Sequence, residues 1–453
     1  MAQAELNYNK KNVIIVGGGL SGCLQALYWS KKGYKVNIYE SRPDPRSQKY
    51  YSRWRSMNLT LSERGLLPLR LVDAEDGLEE FGIRLYGRVL HSLDGELKKR
   101  KYGNPNHFIL SVTRQQLNQH LINLADNDPN VNFHFEDKLI DADFNKGSAV
   151  FKNIDGTHTE TCRLFIGSDG TYSKVRELLM KQIRMNYWQL CIPDGYKQLE
   201  MPPTANGEFA MDPHYLHIWP RSTFMLVALP NKNKTFTMTW FMSFQKFNEL
   251  KTDEDIIKFF QKYFPDAFPL FHERSLVNQV QSYPTNKLIT IKCSPYHHSD
   301  KVVISGDAAH AMCPFYGQGV NCAFEDCMIL HQILDQNNMD IEKSLAEYSD
   351  TRQPDAEAIV DLTLYNYTEL RLLVNSKSFI FHQKVDLFLH WLMPQKWIPL
   401  YIMTQFTNIG YAEVVQRSKF QNRIISVIEC VAGVSFLGII SSIGFALYKY
   451  SKN

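Results

Sequence analysis

The hydrophobic pattern is most regular near the start of the chain. Val13–Val16 is a short apolar run, which is typical of a strand buried on both faces. A helical segment follows from Cys23 to Lys32, and Lys35–Tyr39 has the pattern of a second strand. Strand, helix and strand in this order predict a βαβ unit with a parallel sheet.

Glycines occupy the junction between the first strand and the helix. Gly17–Gly22 reads GGGLSG and matches the pattern GxGxxG. Gly17 would make the tight turn, Gly19 would let the backbone approach a pyrophosphate, and Gly22 would let the helix pack on the strand. Glu40, at the end of the second strand, can accept hydrogen bonds from ribose hydroxyls. The combination predicts a dinucleotide site, with a chance glycine turn as the alternative.

Further strand patterns follow in the first third of the chain. Arg84–His91 alternates like a strand, and Val131–Leu139 is predicted to be another. Leu110–Asn118 is a strand-to-helix junction that places Arg114 just inside the helix. Arg114 could reach a bound phosphate or flavin edge, or it could be a surface arginine paired with an acid.

Two later glycine turns are also candidates for cofactor contact. Leu164–Arg176 is an apolar strand that runs into Asp169-Gly170. In Val302–Asp326, Asp307 follows a strand and can accept hydrogen bonds from ribitol or ribose hydroxyls. In the same segment, Gly317-Gln318-Gly319 precedes a helix that opens near Val320-Asn321, and the N–H groups of its N-terminus can face a partly negative ring edge. Gly319 is included among the candidate cofactor contacts. His310 is interpreted as structural rather than catalytic.

The middle and the end of the chain have different patterns. His214–Met242 is aromatic and alternating, which predicts an antiparallel sheet with an apolar, cavity-lining face. Asp253–Phe264 is predicted to be an amphipathic helix packed beside that sheet. Beyond Ile329 the chain is predicted to be helical, over Ser344–Thr351, Asp355–Asn375 and Phe379–Leu392.

The last apolar segment has the length of a membrane span. Cys430–Tyr448 holds 19 residues without a charge and is preceded by Glu429. As a helix it would extend over about 28 Å, close to the thickness of a bilayer core. We therefore expect a tail anchor that leaves the body of the protein on the cytosolic side, with a buried core helix as the alternative.

Composition narrows the function classes. A net charge of +3 with 21% charged residues gives no basic field of the strength that nucleic-acid binding requires. The eight cysteines lack CxxC or Cys/His ligand spacing, which argues against a metal site and for a reducing compartment.

Three separated motifs occur in order: GGGLSG with Glu40, the Asp169-Gly170 turn, and GDAAHAMCPFYGQGVN with Asp326. As a set they resemble the flavin-dependent aromatic hydroxylases, which bind FAD without a separate nicotinamide domain. The segments RSMNLTLSERG, YLHIWPRSTFMLVALPN and LYNYTELRLLVNS are similar to the branch that hydroxylates L-kynurenine in tryptophan degradation. The resemblance implies FAD as cofactor, NADPH and O2 as co-substrates, and oxygen transfer from a flavin hydroperoxide to give 3-hydroxy-L-kynurenine.

The resemblance also implies residue roles. Arg88 and Tyr102 match the arginine and tyrosine that bind the amino-acid group of the substrate. Asn366 and Tyr401 match an asparagine and a tyrosine of the helical domain, with hydrogen-bonded packing as the alternative for both. The implied FAD contacts are Ser21, Tyr39, Glu40, Ser41, Arg42, Thr60, Arg114, Leu139, Asp307, Val320 and Asn321.

No side chain is assigned as a catalytic acid or base, because the flavin carries the chemistry and the amino group of the substrate activates its own ring. Pro314 and Phe315, in the loop before GQG, are expected to shield the ring from water. The tail of this family implies anchoring in the mitochondrial outer membrane.

The expected fold is α/β (α+β), with a Rossmann-like FAD-binding domain, an inserted antiparallel-sheet substrate domain, a helical C-terminal domain and a transmembrane helix. The expected segments are 1–185 and 291–335 for FAD, 186–290 for the substrate sheet, 336–423 for the helical domain and 424–448 for the anchor. One alternative is a membrane-anchored flavoenzyme that acts on a quinone or isoprenoid lipid. Arg88 and Tyr102 argue against it, because a lipid has no carboxylate to neutralise. A second alternative is a flavoprotein scaffold without turnover.

Overall fold

The structure is a computed structural model that describes residues 11–47, 58–368 and 377–429. The chain forms two compact units, residues 1–372 and residues 373–453. The five-segment division made from the sequence has finer boundaries, and it stays a prediction.

Strands occupy the described chain as far as residue 304, and the longest described helices follow beyond residue 318. The strands are β1 Asn12–Val16, β2 Lys35–Glu40, β3 Asn58–Leu61, β4 Ile83–Leu85, β5 Gly87–His91, β6 Leu97–Lys101, β7 Ile109–Thr113, β8 Val131–Phe135, β9 Lys138–Asp143, β10 Ser148–Asn153, β11 Gly156–Thr161, β12 Leu164–Gly167, β13 Asn186–Met201, β14 Tyr215–Arg221, β15 Phe224–Pro230, β16 Phe236–Ser243, β17 Asn286–Ser294, β18 His297–His298 and β19 Val302–Ile304. The helices are α1 Leu20–Lys31, α2 Glu63–Arg70, α3 Leu78–Phe81, α4 Arg114–Asp126, α5 Lys174–Gln182, α6 Phe244–Glu249, α7 Asp253–Tyr263, α8 Glu273–Ser282, α9 Asp307–His310, α10 Gly319–Gln336, α11 Ile341–Thr368, α12 Lys377–Leu392 and α13 Leu400–Phe406. Single 3₁₀ turns cover Phe268–Leu270 and Pro314–Tyr316.

A mostly parallel sheet confirms the predicted Rossmann-like unit. Its described strands lie in the order β18-β19-β12-β1-β2-β8, and every neighbouring pair except β18 with β19 is parallel. Residues Val13 to Val16 of the central strand are at most 5% exposed, because helices cover both faces of such a sheet. The carboxyl ends of β1, β12 and β19 meet at one edge, so the three predicted glycine turns lie together there.

A large mixed sheet forms the second layer, in the described order β17-β13-β16-β15-β14-β5-β6. We call the side that carries Trp219, Met238 and Trp240 the core face, since these residues are fully buried under α6, α7 and α8. Because side chains alternate along strands, the register assigns Arg88, Arg100, Leu216, Ile218, Met225, Val227, Thr239, Phe241 and Tyr196 to the opposite side, the front face.

Two segments that were each predicted to be one continuous strand are interrupted in the structure. The predicted strand Arg84–His91 breaks at Tyr86, whose N–H donates to the His214 carbonyl and whose carbonyl accepts from the Tyr102 N–H. The chain crosses there from the small sheet β3-β7-β4 to the large sheet. The predicted strand Val131–Leu139 is divided by a turn at Glu136, which has a φ of +57°. Strands β13 and β17 were missed, since their polar residues break any simple alternation.

The helical prediction beyond Ile329 holds in kind, but not in its boundaries. The segments predicted at Ser344–Thr351 and from Asp355 onward form one continuous helix, α11, with Pro354 inside it. The predicted membrane span Cys430–Tyr448 lies outside the described residues. Among the helices of the described ranges, none is both long enough and apolar enough to cross a membrane.

Candidate active site

The glycine turn after β1 has the geometry of a pyrophosphate cradle. Gly17 has a φ of +107°, and a Cβ atom there would lie 2.4 Å from the Ser168 carbonyl oxygen. A Cβ at Gly22 would lie 1.9 Å from the Gly17 oxygen, so α1 packs closely on the strand. A Cβ at Gly19 would meet nothing within 4 Å. The middle glycine therefore faces open space at the N-terminus of α1, where a pyrophosphate fits.

The acid at the end of β2 already bonds to the same turn. One Glu40 oxygen accepts from the Gly18 N–H at 2.9 Å, and the other accepts from the Arg42 backbone and side chain at 2.9 Å each. Burial raises the pKa of Glu40, but its hydrogen bonds and ion pair with Arg42 lower it further, so the net pKa is below the ordinary value. Ser41 donates weakly to the same carboxylate, at 3.4 Å. Glu40 is thus a charged acceptor at the position where a ribose would lie.

Two of the predicted FAD contacts are core residues, so only their backbones can contribute. The Tyr39 ring stacks on Phe151 at 3.8 Å between ring centroids, and its carbonyl accepts from the Gly17 N–H. Leu139 is 3% exposed and pairs with Phe151 across strands β9 and β10. Ser21 lies in the first turn of α1, with its Oγ 3.8 Å from the Cys327 Sγ.

Asn321 clamps the segments that flank the start of α10. Its Oδ1 accepts from the Ser62 N–H at 2.9 Å, and its Nδ2 donates to the carbonyls of Thr60 and Gly317 at 2.9 and 2.7 Å. The side chain is therefore a positioning group. The first-turn N–H groups of α10, at Gly319, Val320 and Asn321, have no partner within a helix and are the donors available to a cofactor.

The two acidic turns lie side by side. One Asp169 oxygen accepts from the N–H groups of Lys174 and Val175 at 2.6 and 3.0 Å, so it caps α5, and burial raises its pKa. The Asp307 carboxylate accepts from the Thr171 hydroxyl at 3.3 Å. Arg176 donates to the carbonyls of Thr171 and Ala308 and so ties the two turns together.

Arg114 is the first residue of α4, as predicted, and is exposed. Burial raises the pKa of Tyr196 on the front face, and the positive charge of Arg114 opposes that shift. Arg114 therefore lies electrostatically close to the front face as well as to the helix N-terminus.

A buried ion cluster holds α10 in place behind the predicted cofactor contacts. Arg352 is 1% exposed and pairs with Glu325 at 2.8 Å and Asp326 at 2.7 Å, while Arg64 pairs with Glu325 from α2. His310 bonds to Asp326 at 2.6 Å. Burial would lower the pKa of His310, but the Asp326 carboxylate raises it well above the ordinary value.

Among the described residues, three side chains of the kinds that can bind a metal lie close together in this cluster. The ligand atoms of His310, Cys322 and Asp326 lie within 4.8 Å of one another. Because the Arg352 guanidinium already contacts both Asp326 and Cys322, it supplies the positive charge that a metal would bring.

The two predicted carboxylate-binding residues come from one strand pair, because Arg88 lies on β5 and Tyr102 directly follows β6. Arg88 on β5 pairs in register with Arg100 on β6, and Tyr102 lies two residues beyond Arg100, one residue past the end of the strand. The Tyr102 side chain is 4% exposed, and its N–H donates to the Tyr86 carbonyl at 3.0 Å. Arg88 and Tyr102 are therefore diagonal neighbours.

The loop before GQG meets the front face through aromatic rings. Phe315, in the turn Pro314–Tyr316, lies 5.1 Å from the Phe241 ring and stacks at 4.1 Å on Tyr367. Asn366 donates to the Phe315 carbonyl at 2.7 Å, so it holds this turn. Phe241 and Tyr196 were not predicted, because only the strand register reveals which aromatic residues share a side. Tyr367 was not predicted either, since its place depends on the stacking between α11 and Phe315.

Tyr401 belongs to the second unit, on α13, where its ring lies 6.4 Å from Phe406. Its predicted role in substrate binding stays a prediction. Within the first unit, Asn366 is bonded to the turn Pro314–Tyr316, and Phe315 of that turn meets Phe241 on the sheet face that also carries Arg88. That these residues form one substrate pocket stays a prediction.

Comparison with known proteins places this geometry in a family. The FAD binding domain family matches residues 10–363. The chain is 42% identical over 418 residues to kynurenine 3-monooxygenase of Sus scrofa, covering 92% of this chain and 88% of that one. It is 41% identical over 451 residues to the enzyme of that name from Anopheles gambiae, with 98% and 91% covered.

Solved structures agree at the level of the fold. A tetrameric 2-methyl-3-hydroxypyridine-5-carboxylic acid oxygenase superposes with a TM-score of 0.68 at 18% identity, over 82% of this chain and 95% of that one. PqsL of P. aeruginosa, in complex with 2-aminobenzoylacetate, gives a TM-score of 0.65 at 20% identity, with 80% and 96% covered. The glycine cradle and the three acidic or amide turns at one sheet edge agree with this family. On the strength of its relatives, the chain belongs to the kynurenine 3-monooxygenase family of FAD-dependent aromatic hydroxylases.

Proposed function

We propose that this chain is an FAD-dependent, NADPH-consuming monooxygenase that hydroxylates L-kynurenine to 3-hydroxy-L-kynurenine. The observation that carries the substrate assignment is the diagonal pair Arg88 and Tyr102, placed on the same sheet face as Phe241. A cationic fork and a phenol beside an aromatic wall suit a ligand with a carboxylate and a ring. A quinone or isoprenoid lipid has no carboxylate for the guanidinium to bind.

The chain holds FAD through groups at the edge of the parallel sheet. The pyrophosphate turn is formed by Gly17, Gly19, Ser21 and Gly22. Glu40, which is held by Arg42, accepts hydrogen bonds from the adenosine ribose and so orients it. The remaining contacts are Tyr39, Ser41, Thr60, Arg114, Leu139, Asp169, Asp307, Gly319, Val320 and Asn321. When bound, FAD would supply the redox chemistry, since a flavin can accept electrons from NADPH and pass them to O2.

The side chains around the substrate bind and orient it. Arg88 pairs with the carboxylate and Tyr102 adds an O–H donor, so the aromatic ring of the substrate is fixed at its other end. Asn366 acts by holding the Phe315 turn beside the substrate. No side chain needs to take a proton from the ring before oxygen transfer, because the aniline nitrogen supplies the electron density.

The aromatic residues Phe241, Phe315 and Tyr367 exclude water from the reacting ring. Water near the reacting oxygen would favour release of hydrogen peroxide over transfer. The stacked pair Phe315 and Tyr367 couples α11 to the turn before α10, so this wall rests on two elements of the first unit.

The test is NADPH oxidation by the purified, detergent-solubilised protein, with and without L-kynurenine, while product and hydrogen peroxide are followed. We expect strong stimulation, formation of 3-hydroxy-L-kynurenine and little peroxide. Stimulation with peroxide alone would mean that the ligand is recognised but its ring is misplaced. FAD-loaded protein that ignores L-kynurenine would refute the substrate assignment and favour a lipid substrate.

We also propose that residues 424–448 anchor the chain in the mitochondrial outer membrane, with the catalytic body facing the cytosol. The support is the uncharged run Cys430–Tyr448, which directly follows the helical residues 411–429. Two charges in the run, as Leu437→Arg with Ile440→Arg, should release the protein from carbonate-washed membranes, whereas Leu437→Ile should not. Protease added to intact mitochondria should digest the wild-type body; protection of the body would refute this orientation.

A further inference from the structure

A second arginine stands beside the predicted carboxylate ligand. In the antiparallel pair of β5 and β6, Arg88 and Arg100 are direct cross-strand partners, so their side chains leave the sheet on the same side. Cβ atoms at such positions lie about 4.5–5.5 Å apart, which brings the two guanidinium groups within reach of one small anion. Tyr102 directly follows β6, two residues beyond Arg100, and its N–H continues the strand pairing by donating to the Tyr86 carbonyl.

Two positive charges face each other across this strand pair. Like charges directly opposite each other destabilise a strand pair. Both arginines are only partly exposed, and burial, followed by the neighbouring charge of Arg88, lowers the pKa of Arg100. Neighbouring β6 residues Lys99 and Lys101 avoid this problem, because their side chains point to the opposite side and are exposed.

We infer that Arg100 is a second carboxylate-binding residue for the substrate, acting together with Arg88. This inference rests on the proposed function. A carboxylate has two oxygens with about four acceptor sites, so one guanidinium can serve each oxygen while Tyr102 donates to a remaining site. Because two guanidinium groups bind the same carboxylate, tight binding requires the amino-acid end of the substrate. Aromatic amines that lack this carboxylate should bind more weakly.

The test compares Arg100→Gln with Lys101→Gln, which removes the same charge one residue away on the other side of the strand. The substrates are L-kynurenine and its decarboxylated analogue, kynuramine. We expect Arg100→Gln to raise the KM for L-kynurenine about tenfold or more, as loss of a charge-assisted hydrogen bond would, with kcat nearly unchanged. The KM for kynuramine should not rise, and Lys101→Gln should behave like wild type with both.

Thermal melting separates binding from folding. Without substrate, Arg100→Gln should keep its FAD and melt close to the wild-type temperature, because Arg100 is partly exposed and lies on the edge strand of the sheet. The rise in melting temperature that L-kynurenine gives to wild type should shrink in the variant. Arg100→Lys, which keeps the charge but loses the fork, should give an intermediate KM.

Several results would overturn the inference. These are an equal KM change for both substrates, a response equal to that of Lys101→Gln, or a clear drop in melting temperature without substrate, which would make Arg100 structural. Failure of the proposed function looks different: wild type itself would form no 3-hydroxy-L-kynurenine, and L-kynurenine would not shift its melting temperature.

Discussion

The two sides of the seven-stranded sheet use the same strands for different purposes. On the core face, Trp219, Met238 and Trp240 are 0% exposed and pack under three helices. On the front face, Arg88 and Tyr196 keep partial exposure, and Phe241 faces the Phe315 turn. Since neighbouring residues point to opposite sides, one residue such as Trp240 supports the fold while the next, Phe241, lines the candidate site.

The difference between the two faces predicts which substitutions the protein tolerates. The core face is filled to the density of an interior, so any loss of volume there costs stability. The front face carries the proposed substrate ligand Arg88 and the ring of Phe241, so a change there is expected to act mainly on activity. Adjacent substitutions along one strand should therefore separate stability from activity.

The largest effect is expected from Trp240→Ala on the core face. The Trp240 ring contacts Phe247 and Phe260 with centroids 4.9 and 5.1 Å away. Removing a buried ring of this size should lower the free energy of unfolding by about 3–5 kcal/mol. Chemical denaturation of the FAD-loaded protein measures this loss. A loss no greater than that of the neighbouring Phe241→Leu would contradict the assignment of the two faces.

The next effect is a pH dependence that arises on the core face. His217 bonds to His91 at 2.9 Å and to the Asp212 carbonyl at 2.8 Å, and burial lowers its pKa to about 4 from 6.5. Between these two pH values the unfolded chain binds a proton that the folded chain does not. Stability should therefore fall as the pH falls through this window, by about 3 kcal/mol in total from this group.

The measurement for this dependence is unfolding by denaturant at several pH values, from about 7 down to about 4. His217→Gln keeps an amide donor for the Asp212 carbonyl but cannot titrate, so the slope of stability against pH should flatten. His214→Gln, at an exposed position just before the same strand, should leave the slope unchanged. Equal slopes in wild type and His217→Gln would refute this account.

On the front face, Arg88→Ala should change substrate binding with little change in stability. Loss of the charge-assisted pair should raise the KM for L-kynurenine by a factor that corresponds to about 1.5–3 kcal/mol, while FAD stays bound. Steady-state kinetics and the flavin absorbance of the purified variant check both parts. Arg84→Ala is the control, because Arg84 is an exposed residue that pairs with Glu79 on the surface. An unchanged KM for Arg88→Ala would remove Arg88 from the pocket.

The sequence predicted the parallel layer well because its signals are local. The run Val13–Val16, the glycine turn and Glu40 lie within 30 residues, and each has one dominant physical explanation. The turns at Asp169 and Asp307 were predicted to contact the cofactor, and the structure has them at the same edge because parallel strands end together. The roles of Asn321 and Asp169 were not visible, since a clamp and a helix cap depend on partners distant in sequence.

The large sheet was less predictable because its pairings are non-local. Strand β13 runs from Asn186 to Met201 and has two partners of different register, with an irregularity between Cys191 and Gly195. Its polar residues give no clear period, so nothing local marks it as a strand. The pairing of Arg88 with Arg100 likewise needs the register, although both residues are visible in the sequence.

The smallest expected effect sharpens the comparison most, because it concerns the neighbour of Trp240. Phe241→Leu keeps an apolar side chain of similar volume, so it should cost less than about 1.5 kcal/mol of stability. It removes the ring that meets Phe315, and water should then reach the substrate ring more easily. We expect more hydrogen peroxide per NADPH consumed, with the KM for L-kynurenine nearly unchanged, since Arg88 still binds the carboxylate. Peroxide yield measured beside 3-hydroxy-L-kynurenine tests this expectation.

Phe224→Leu, on the core face of the adjacent strand, is the control: it should lower stability without raising the peroxide yield. If both variants leak peroxide equally, the wall against water does not lie on the front face.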